Sequence, residues 1–410
     1  MSISRSIPKI NPNDSEVCFK IDQLANFSAG QKKLKVLVLA DQKYPAEVVK
    51  DHVDGITSSS RHEVCIRSPR KRRWFIPSSK VNLLDKEGKC FDVVIIHYSL
   101  CILFESYIPR YLREEINQFR GIKIQIIQDE YRWINKMMDE ISYLGIDAIF
   151  SSLNLDNLKK VYYRTELSSV LKVSCLPGYV PQRLVGLKVP KISQREKHLA
   201  YRGRELPYWM GRLSYEKSRL SEEVGKRINT HPIVADLSSL EKDRLYGESW
   251  TAFLKCSKAV LGLEGGASIF DFDGEAEKAV LNYQKLNPST GFEEISTNVL
   301  LPYEGNVIHQ TITPRCFEAI AYKTVQVLLE GEYNGVLKPW KHYLPLKRDF
   351  SNLDKIIKFL LDDQELQNIA DRAYDEIIHS NLYSSTILGR GIDGAIDLIR
   401  IRKENTLCVA

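Results

Sequence analysis

A chain of 410 residues, 43% apolar and 27% charged, is soluble-globular in composition and too long for one ordinary core, so two domains are expected. Its net charge of +6, from 58 basic and 52 acidic residues, is too mild to mark a dedicated nucleic-acid binder. No apolar run is long enough to span a bilayer, and "MSISRSIPKINPNDSEVCFK" lacks the apolar stretch of a secretion signal, which predicts a cytoplasmic protein. The eight cysteines form no Cys-x-x-Cys pair, so neither a zinc knuckle nor a disulfide framework is indicated.

In chain order, residues 1–30 read as a weakly ordered tail, interrupted by Pro, Asn, Asp and Ser. Order is expected from "KLKVLVLA", a continuous apolar run of the kind that forms a strand buried on both faces. "HEVCIR", "FDVVIIHYS", "IKIQIIQDE", "IDAIFSS" and "LKVSCLPG" repeat the signal, with helical stretches such as "IPRYLREEINQF" between them. Strand–helix alternation predicts a parallel sheet with helices on both faces over 31–178. Residues 179–197 carry two prolines and no period, and are expected to be a linker. A second alternating series follows over 198–380: strands "KHLAYRG", "HPIVADLS", "KAVLGLE" and "VQVLLEG", with helices between. "NLDKIIKFLLDD" sets Leu353, Ile356, Ile357, Leu360 and Leu361 at helical spacing. Residues 381–410 read as a closing helix and tail. The fold class is therefore α/β, with two Rossmann-like doubly wound parallel-sheet domains facing a cleft, each presenting its binding loops beyond the carboxyl ends of its strands.

The cluster "RSPRKRRWF" brings Arg67, Arg70, Lys71, Arg72 and Arg73 together. It is either a solvated loop or a surface for phosphate groups, including an anionic membrane on its inner face. In the first domain, polar residues stand just past buried strands: His97 and Tyr98 after "VVII", and Asp129, Glu130 and Tyr131 after "IQIIQ". Such groups suit binding the hydroxyls of a substrate or taking a proton from one. The alternative for His97, and for His309, is a satisfied structural histidine.

In "TITPRCFEAIAYKTVQVLLEGEY", Thr313 is a good N-cap and Pro314 suits the first helical position. Arg315 in the first turn opposes the helix dipole unless an anion lies there, and the Glu318 carboxylate can hold two neighbouring hydroxyls of a ribose. Solvent-facing helix residues are the bland alternative. Further along, "EGGASIFDFDGE" places Asp271, Asp273 and Glu275 close together. A divalent metal, a ligand-contacting loop and ordinary turn chemistry are all compatible with that stretch. No G-x-G-x-x-G follows "KVLVLA", which disfavours a Rossmann dehydrogenase.

"TPRCFEAIAYKTVQVLLEGEYNGVL", "HYLPLKRDFSNLDKIIKFLLDD" and "IADRAYDEIIHSNLYS" together resemble the C-terminal half of GT-B glycosyltransferases of the family 4 type. The likeness covers roughly 311–400. It implies a nucleotide-sugar donor as substrate, no metal or other cofactor in the chemical step, and retention at the anomeric carbon. By this resemblance Glu318 holds the donor ribose, and "MGRLSYEKSRL" supplies Arg212 and Lys217 as a phosphate clamp. Arg202 and Arg204 of "YRGREL" are further candidates for the diphosphate, together with Arg315. Two departures stand out. Gln310 occupies the place of a second glutamate, and Lys323 that of a glycine after the helix. Glu264 is a candidate for the missing carboxylate, with 265–310 as an insertion. The expectation is transfer of a hexosyl group to a hydroxyl of a glycan or lipid-linked glycan in bacterial-type surface polysaccharide synthesis. A sugar-nucleotide epimerase on the same fold and a non-catalytic polyanion-binding scaffold are the rivals.

Overall fold

The computed structural model describes residues 10–11, 15, 17–28, 30, 32–69, 82–85 and 87–409. Arg70, Lys71, Arg72 and Arg73 lie outside them. The chain divides into two compact units, one of residues up to Tyr44, Val48–Leu176 and from Ser385 on, the other of Pro177–Ser384 with Pro45–Glu47. Among the described residues no helix is long and apolar enough to cross a membrane.

The first unit contains β1 (Cys18–Lys20), β2 (Lys35–Leu39), β3 (Glu63–Arg67), β4 (Val93–Ile96), β5 (Ile122–Ile127), β6 (Ala148–Ser151) and β7 (Leu171–Ser174). They form one sheet in the order β3-β2-β4-β5-β6-β7-β1, and every pairing is parallel. Val36 to Leu39 and Val93 to Ile96 are all at most 1% exposed, which is why their sequences are unbroken apolar runs. Helices Glu47–Ser59, Arg110–Gln118, Ile134–Leu144 and Leu155–Val161 make the crossovers. The C-terminal helix Thr386–Val409 belongs to this unit, where Asp393 accepts from the Arg61 amide (2.8 Å) and the Ser60 hydroxyl (2.7 Å). Residues 18–25 differ from the expected weakly ordered tail. Cys18–Lys20 pairs with β7, and Ile21–Ala25 is a helical turn that buries Leu24 completely. A three-residue strand carries no period of its own; partner pairing, not local pattern, makes it a strand.

The second unit contains β8 (Lys197–Arg202), β9 (Ala235–Ser238), β10 (Ser257–Gly262), β11 (Gly265–Ala267), β12 (His309–Thr311), β13 (Val325–Leu329) and β14 (Leu344–Leu346). Five of these make a parallel sheet in the order β9-β8-β10-β13-β14, and β11 and β12 form an antiparallel ribbon. Leu353, Ile356, Ile357 and Leu360 pack on the sheet as expected, but Leu361 is 46% exposed because the helix ends at Leu360.

The stretch expected as a linker is an integral part of this unit. Ile192 is fully buried and Arg195 is 4% exposed. The Arg195 guanidinium donates to the carbonyls of Pro190 (2.9 Å), Ser257 (2.9 Å) and Tyr322 (2.8 Å) and to the Thr324 hydroxyl (2.8 Å). Its fixed fork thus ties 190 to the start of β10 and the approach to β13. Burial lowers its pKa to about 10, so it remains charged at neutral pH. Replacing Arg195 with Leu should leave several buried acceptors unpaired, each costing about 1–3 kcal/mol. The expected result is a fall of at least about 3 kcal/mol in stability, seen as a lower urea midpoint.

Candidate functional site

In each unit the first strand of the doubly wound series lies between the second and the third, so the chain reverses its direction of advance at that point. The reversal falls between β2 and β4 in the first unit and between β8 and β10 in the second. Adjacent crossovers there leave on opposite faces, and the carboxyl ends open into a crevice where such folds take ligands.

In the second unit, β8 ends at Arg202, and helix Pro314–Ala321 begins beside it. Arg315 donates from Nη1 to the Arg202 carbonyl (2.6 Å), and its guanidinium lies 5.0 Å from the Trp250 ring centroid. The indole Nε1 of Trp250 donates to Glu318 Oε2 at 2.8 Å. This helix therefore carries an exposed guanidinium and a half-buried carboxylate beside the end of β8. Arg202 itself is committed to the fold. It pairs with Asp236 (2.8 Å), donates to the carbonyls of Tyr201 and Asp236, and lies 4.5 Å from the Phe253 ring centroid. This disagrees with a diphosphate ligand at Arg202, because its planar fork already has local acceptors. Arg204, two residues on, is exposed and makes no ion pair among the described residues.

Glu264 follows β10 and stands against β13. Its Oε1 accepts the Tyr333 amide at 2.7 Å, and its Oε2 accepts from Gln310 Nε2 at 3.3 Å. A Cβ on Gly331 would meet Glu264 Oε2 at 2.4 Å, so only glycine leaves room for the carboxylate. Burial raises the Glu264 pKa, opposed by the amides of Tyr333 and Glu332. The ribbon explains how residues 46 positions apart meet. β11 pairs Gly266 with Gln310, and Gly266, at φ 123°, approaches the His309 carbonyl too closely for any Cβ. Residues 268–308 are thus a helical excursion closed at its base by two short strands. Glu264, Gln310, Glu216, Glu330 and Arg348 line a small surface recess with Leu213 and Leu263.

Arg212 opens helix Arg212–Ile228, and the excursion supplies its counterions. Glu293 takes both guanidinium nitrogens (2.5 and 2.8 Å), Glu304 accepts the Arg212 amide (3.1 Å), and Phe292 stacks on Tyr215 with centroids 4.0 Å apart. Carboxylates therefore sit where the helix start favours an anion. Lys217 is half-buried one turn on, its carbonyl accepting the Tyr201 hydroxyl at 3.1 Å. Asp271 caps helix Glu275–Leu286 through the Ala276 and Glu277 amides, which is turn chemistry. No three metal-ligating side chains gather among the described residues. Lys323 adopts φ 51°, the left-handed conformation that glycine favours after a helix, and its ammonium pairs with Asp371 at 2.6 Å.

The first-unit candidates separate sharply. His97 is fully buried, and the Ser99 amide donates to its Nδ1 (3.1 Å), so Nε2 carries the proton and donates to His52 Nδ1 (3.0 Å). Burial, then the neighbouring ring, holds His97 well below the usual range, and burial brings His52 to about 3. Both nitrogens being used, His97 is a structural residue and not the catalytic group expected. Glu130 is 2% exposed, accepts from the Ser151 hydroxyl, and is pushed up to about 8 by burial. It is a neutral interior acid and not an acceptor ligand. Asp129 alone of this group is exposed, accepting the Tyr131 hydroxyl at 3.0 Å. His309 is likewise buried and lowered to about 4. Arg67 donates to the carbonyl and side chain of Asn82 at the end of β3.

Two residues escaped the sequence reading. Asp41, just beyond β2, donates its amide to Ser99 Oγ at 2.9 Å across the first unit's reversal point; the rule used for His97 would have found it. Trp250 lies inside an ordinary amphipathic helix, and nothing local marks it.

No family model matches the chain, and no curated protein matches it in sequence. Among solved structures it is similar to the alpha-glucosyltransferase AGT in complex with UDP, at a TM-score of 0.52 and 11% identity over 90% of this chain and 100% of that one. It is similar to alpha-glucosyltransferase in complex with UDP-glucose and DNA containing an abasic site, at 0.51 and 12% over 90% and 100%. A further match is Anabaena HepE in complex with UDP, at 0.47 and 10% over 88% and 98%. The first two likenesses show the fold, the α/β pair of Rossmann-like units termed GT-B.

The buried acid and the histidine pair give opposite pH dependences. Glu130 binds its proton more tightly folded than unfolded, so its contribution is full below about 4.5 and is lost as pH rises through about 8. The histidines bind theirs less tightly folded, so stability falls as pH drops from 6.5 towards about 3. Glu130→Gln should flatten the alkaline limb, where the slope is up to about 1.4 kcal/mol per pH unit. Urea unfolding at pH 5, 7 and 8.5 measures it, and an unchanged slope would contradict the buried-acid assignment.

Proposed function

We propose that the protein is a glycosyltransferase of the GT-B, family 4 type. It moves a sugar from a nucleotide-sugar donor to a hydroxyl of a glycan or lipid-linked glycan. The observation that carries this is the placement of Arg315 and Glu318 on one short helix beside the carboxyl end of β8, at the reversal point of a doubly wound unit. The fold shared with a glucosyltransferase solved with UDP and UDP-glucose supports it.

In this scheme Glu318 accepts from the donor ribose, and Arg204, Arg212, Lys217 and Arg315 neutralise the diphosphate. Fixed cations suffice to stabilise the charge that builds on the departing group, so the scheme needs no metal. Glu264 and Gln310, joined by their hydrogen bond, take the sugar hydroxyls in the place of a glutamate pair. The bond from the anomeric carbon to the diphosphate breaks, one to the acceptor oxygen forms with retention, and the acceptor proton leaves to a base. In the first unit Asp129 is the exposed carboxylate beyond β5, and Tyr131 its partner; we assign the acceptor side to them.

A panel of nucleotide sugars should contain one that raises the melting temperature, since a ligand of the native form stabilises it. With that donor, Glu318→Ala should cost roughly 1.5–3 kcal/mol in binding or turnover. Unchanged kinetics would remove Glu318 from the site, and an isomerised nucleotide sugar without acceptor would mean an epimerase. Glu293→Gln should release Arg212 from its counterion and lower the dissociation constant for the nucleoside diphosphate roughly two- to fivefold, as expected for an exposed pair.

A further inference from the structure

We infer that residues 338–343 and helix Leu353–Leu360 of the second unit form a docking surface for an anionic lipid bilayer. Trp340 enters the headgroup region, and Lys338, Lys355 and Lys358 supply the charge that selects anionic lipid. The inference does not depend on the donor-site assignment.

Trp340 has φ 61°, a left-handed conformation that a side chain with a Cβ adopts only at a cost. A glycine would take the same backbone without strain. The turn around it is firmly tied. The Trp340 amide donates to the Tyr343 carbonyl at 2.8 Å, and the Lys338 carbonyl accepts the amides of Lys341 (3.2 Å) and His342 (2.9 Å). The Lys338 amide donates to His342 Nδ1 at 3.2 Å, and Tyr343 is buried beneath. A strained backbone that buried its side chain would be repaid in packing. Here the indole is 38% exposed, so the turn spends strain to hold an aromatic ring at the surface.

Cations surround the ring. Lys355 Nζ lies 4.2 Å from its centroid, and Phe359 lies 5.5 Å away, so the helix meets the turn through the indole. Lys358 follows Lys355 by one helical turn. Lys338, Lys355 and Lys358 are exposed and make no ion pair among the described residues. Carboxylates from nearby segments are used otherwise. Glu376 takes Lys341 (2.7 Å) and His342 (3.0 Å), Asp362 caps the following helix, and Asp354 lies 3.5 Å from His231.

An indole rimmed by ammonium groups matches the level of a bilayer where acyl chains give way to phosphates. A soluble polyanion would be drawn by the ammonium groups and has little use for an exposed ring, or for Leu361 beyond the helix end. The surface flanks β14, the edge strand of its sheet, whereas the reversal point lies further in, between β8 and β10. A bilayer at this edge leaves that crevice open.

The test is co-sedimentation of the full chain with vesicles of phosphatidylcholine, alone or mixed with phosphatidylglycerol. The wild type should bind the mixed vesicles, bind them less as salt rises, and ignore phosphatidylcholine alone. Lys338→Gln, Lys355→Gln and Lys358→Gln should each weaken binding roughly fivefold, the share of one lysine near an anionic surface. Trp340→Gly, which removes both strain and ring, should weaken it roughly tenfold, the scale of partial burial of a large apolar side chain. Its urea midpoint checks that the variant is folded. Tryptophan emission should shift to the blue on adding mixed vesicles, and the shift should shrink in Trp340→Gly.

The remaining outcomes each overturn the inference. Wild type that stays in the supernatant refutes the docking surface. Equal binding to phosphatidylcholine alone refutes the role of the lysines. Full binding in the lysine and Trp340 variants, lost only when Arg70, Lys71, Arg72 and Arg73 become glutamine, moves the contact to the other basic cluster. Lysine variants that lose affinity while Trp340→Gly keeps it, with polyphosphate displacing the vesicles, make the partner a soluble polyanion.

Discussion

A strand that runs parallel to both neighbours and is covered by helices on both faces has little room for a polar side chain within its length, Gln125 and Gln326 being buried exceptions here. That constraint governs both units, where every pairing in the two main sheets is parallel and the central strands are almost wholly buried. Residues able to touch a ligand are pushed out to the carboxyl ends, and the order in which the strands were laid down opens a crevice at one place in each sheet. Arg315 finds the Arg202 carbonyl, and Glu264 finds the Tyr333 amide, because those chain segments emerge side by side.

Three of the second unit's candidate cations are held by the protein itself. Arg202 has Asp236, Arg212 has Glu293, and Arg315 has a main-chain carbonyl. These partnerships differ in kind. The Arg202 pair is mostly buried, and undoing it would strand charge in the interior. The Arg212 pair is open to solvent and contributes little, so an anionic ligand can replace the glutamate at small loss. Burial thus ties one arginine into the scaffold and leaves the other at the surface, although both stand in similar sequence surroundings.

Burial sorts the first unit's candidates in the same way. His97 and Glu130 both follow buried strands and both carry chemistry that suits a catalytic role. Yet each is turned inward, His97 to His52 and Ser99, and Glu130 to Ser151 through one of its two oxygens. Desolvation disfavours the charged form of either group, so both are neutral over the range where an exposed histidine or glutamate would change state. Asp129, adjacent to Glu130, faces solvent. Neighbours in a chain leaving a strand point opposite ways, and one step decides between interior acid and exposed carboxylate.

The sequence by itself determined the α/β class, the two strand–helix series and the helix that carries Arg315 and Glu318. Continuous apolar runs and a proline-initiated helix are local signals, set by how each segment must meet its solvent. It also supplied Glu264, as a conjecture, in place of the carboxylate missing at Gln310. Only tertiary structure decided that a short ribbon closes residues 268–308 and brings those two side chains within 3.3 Å. The same holds for β1, for the Arg195 tie beneath a supposed linker, and for Trp250 on Glu318. Each joins segments far apart in the chain through a directional contact, and no periodicity in one segment records which atoms of another will lie beside it.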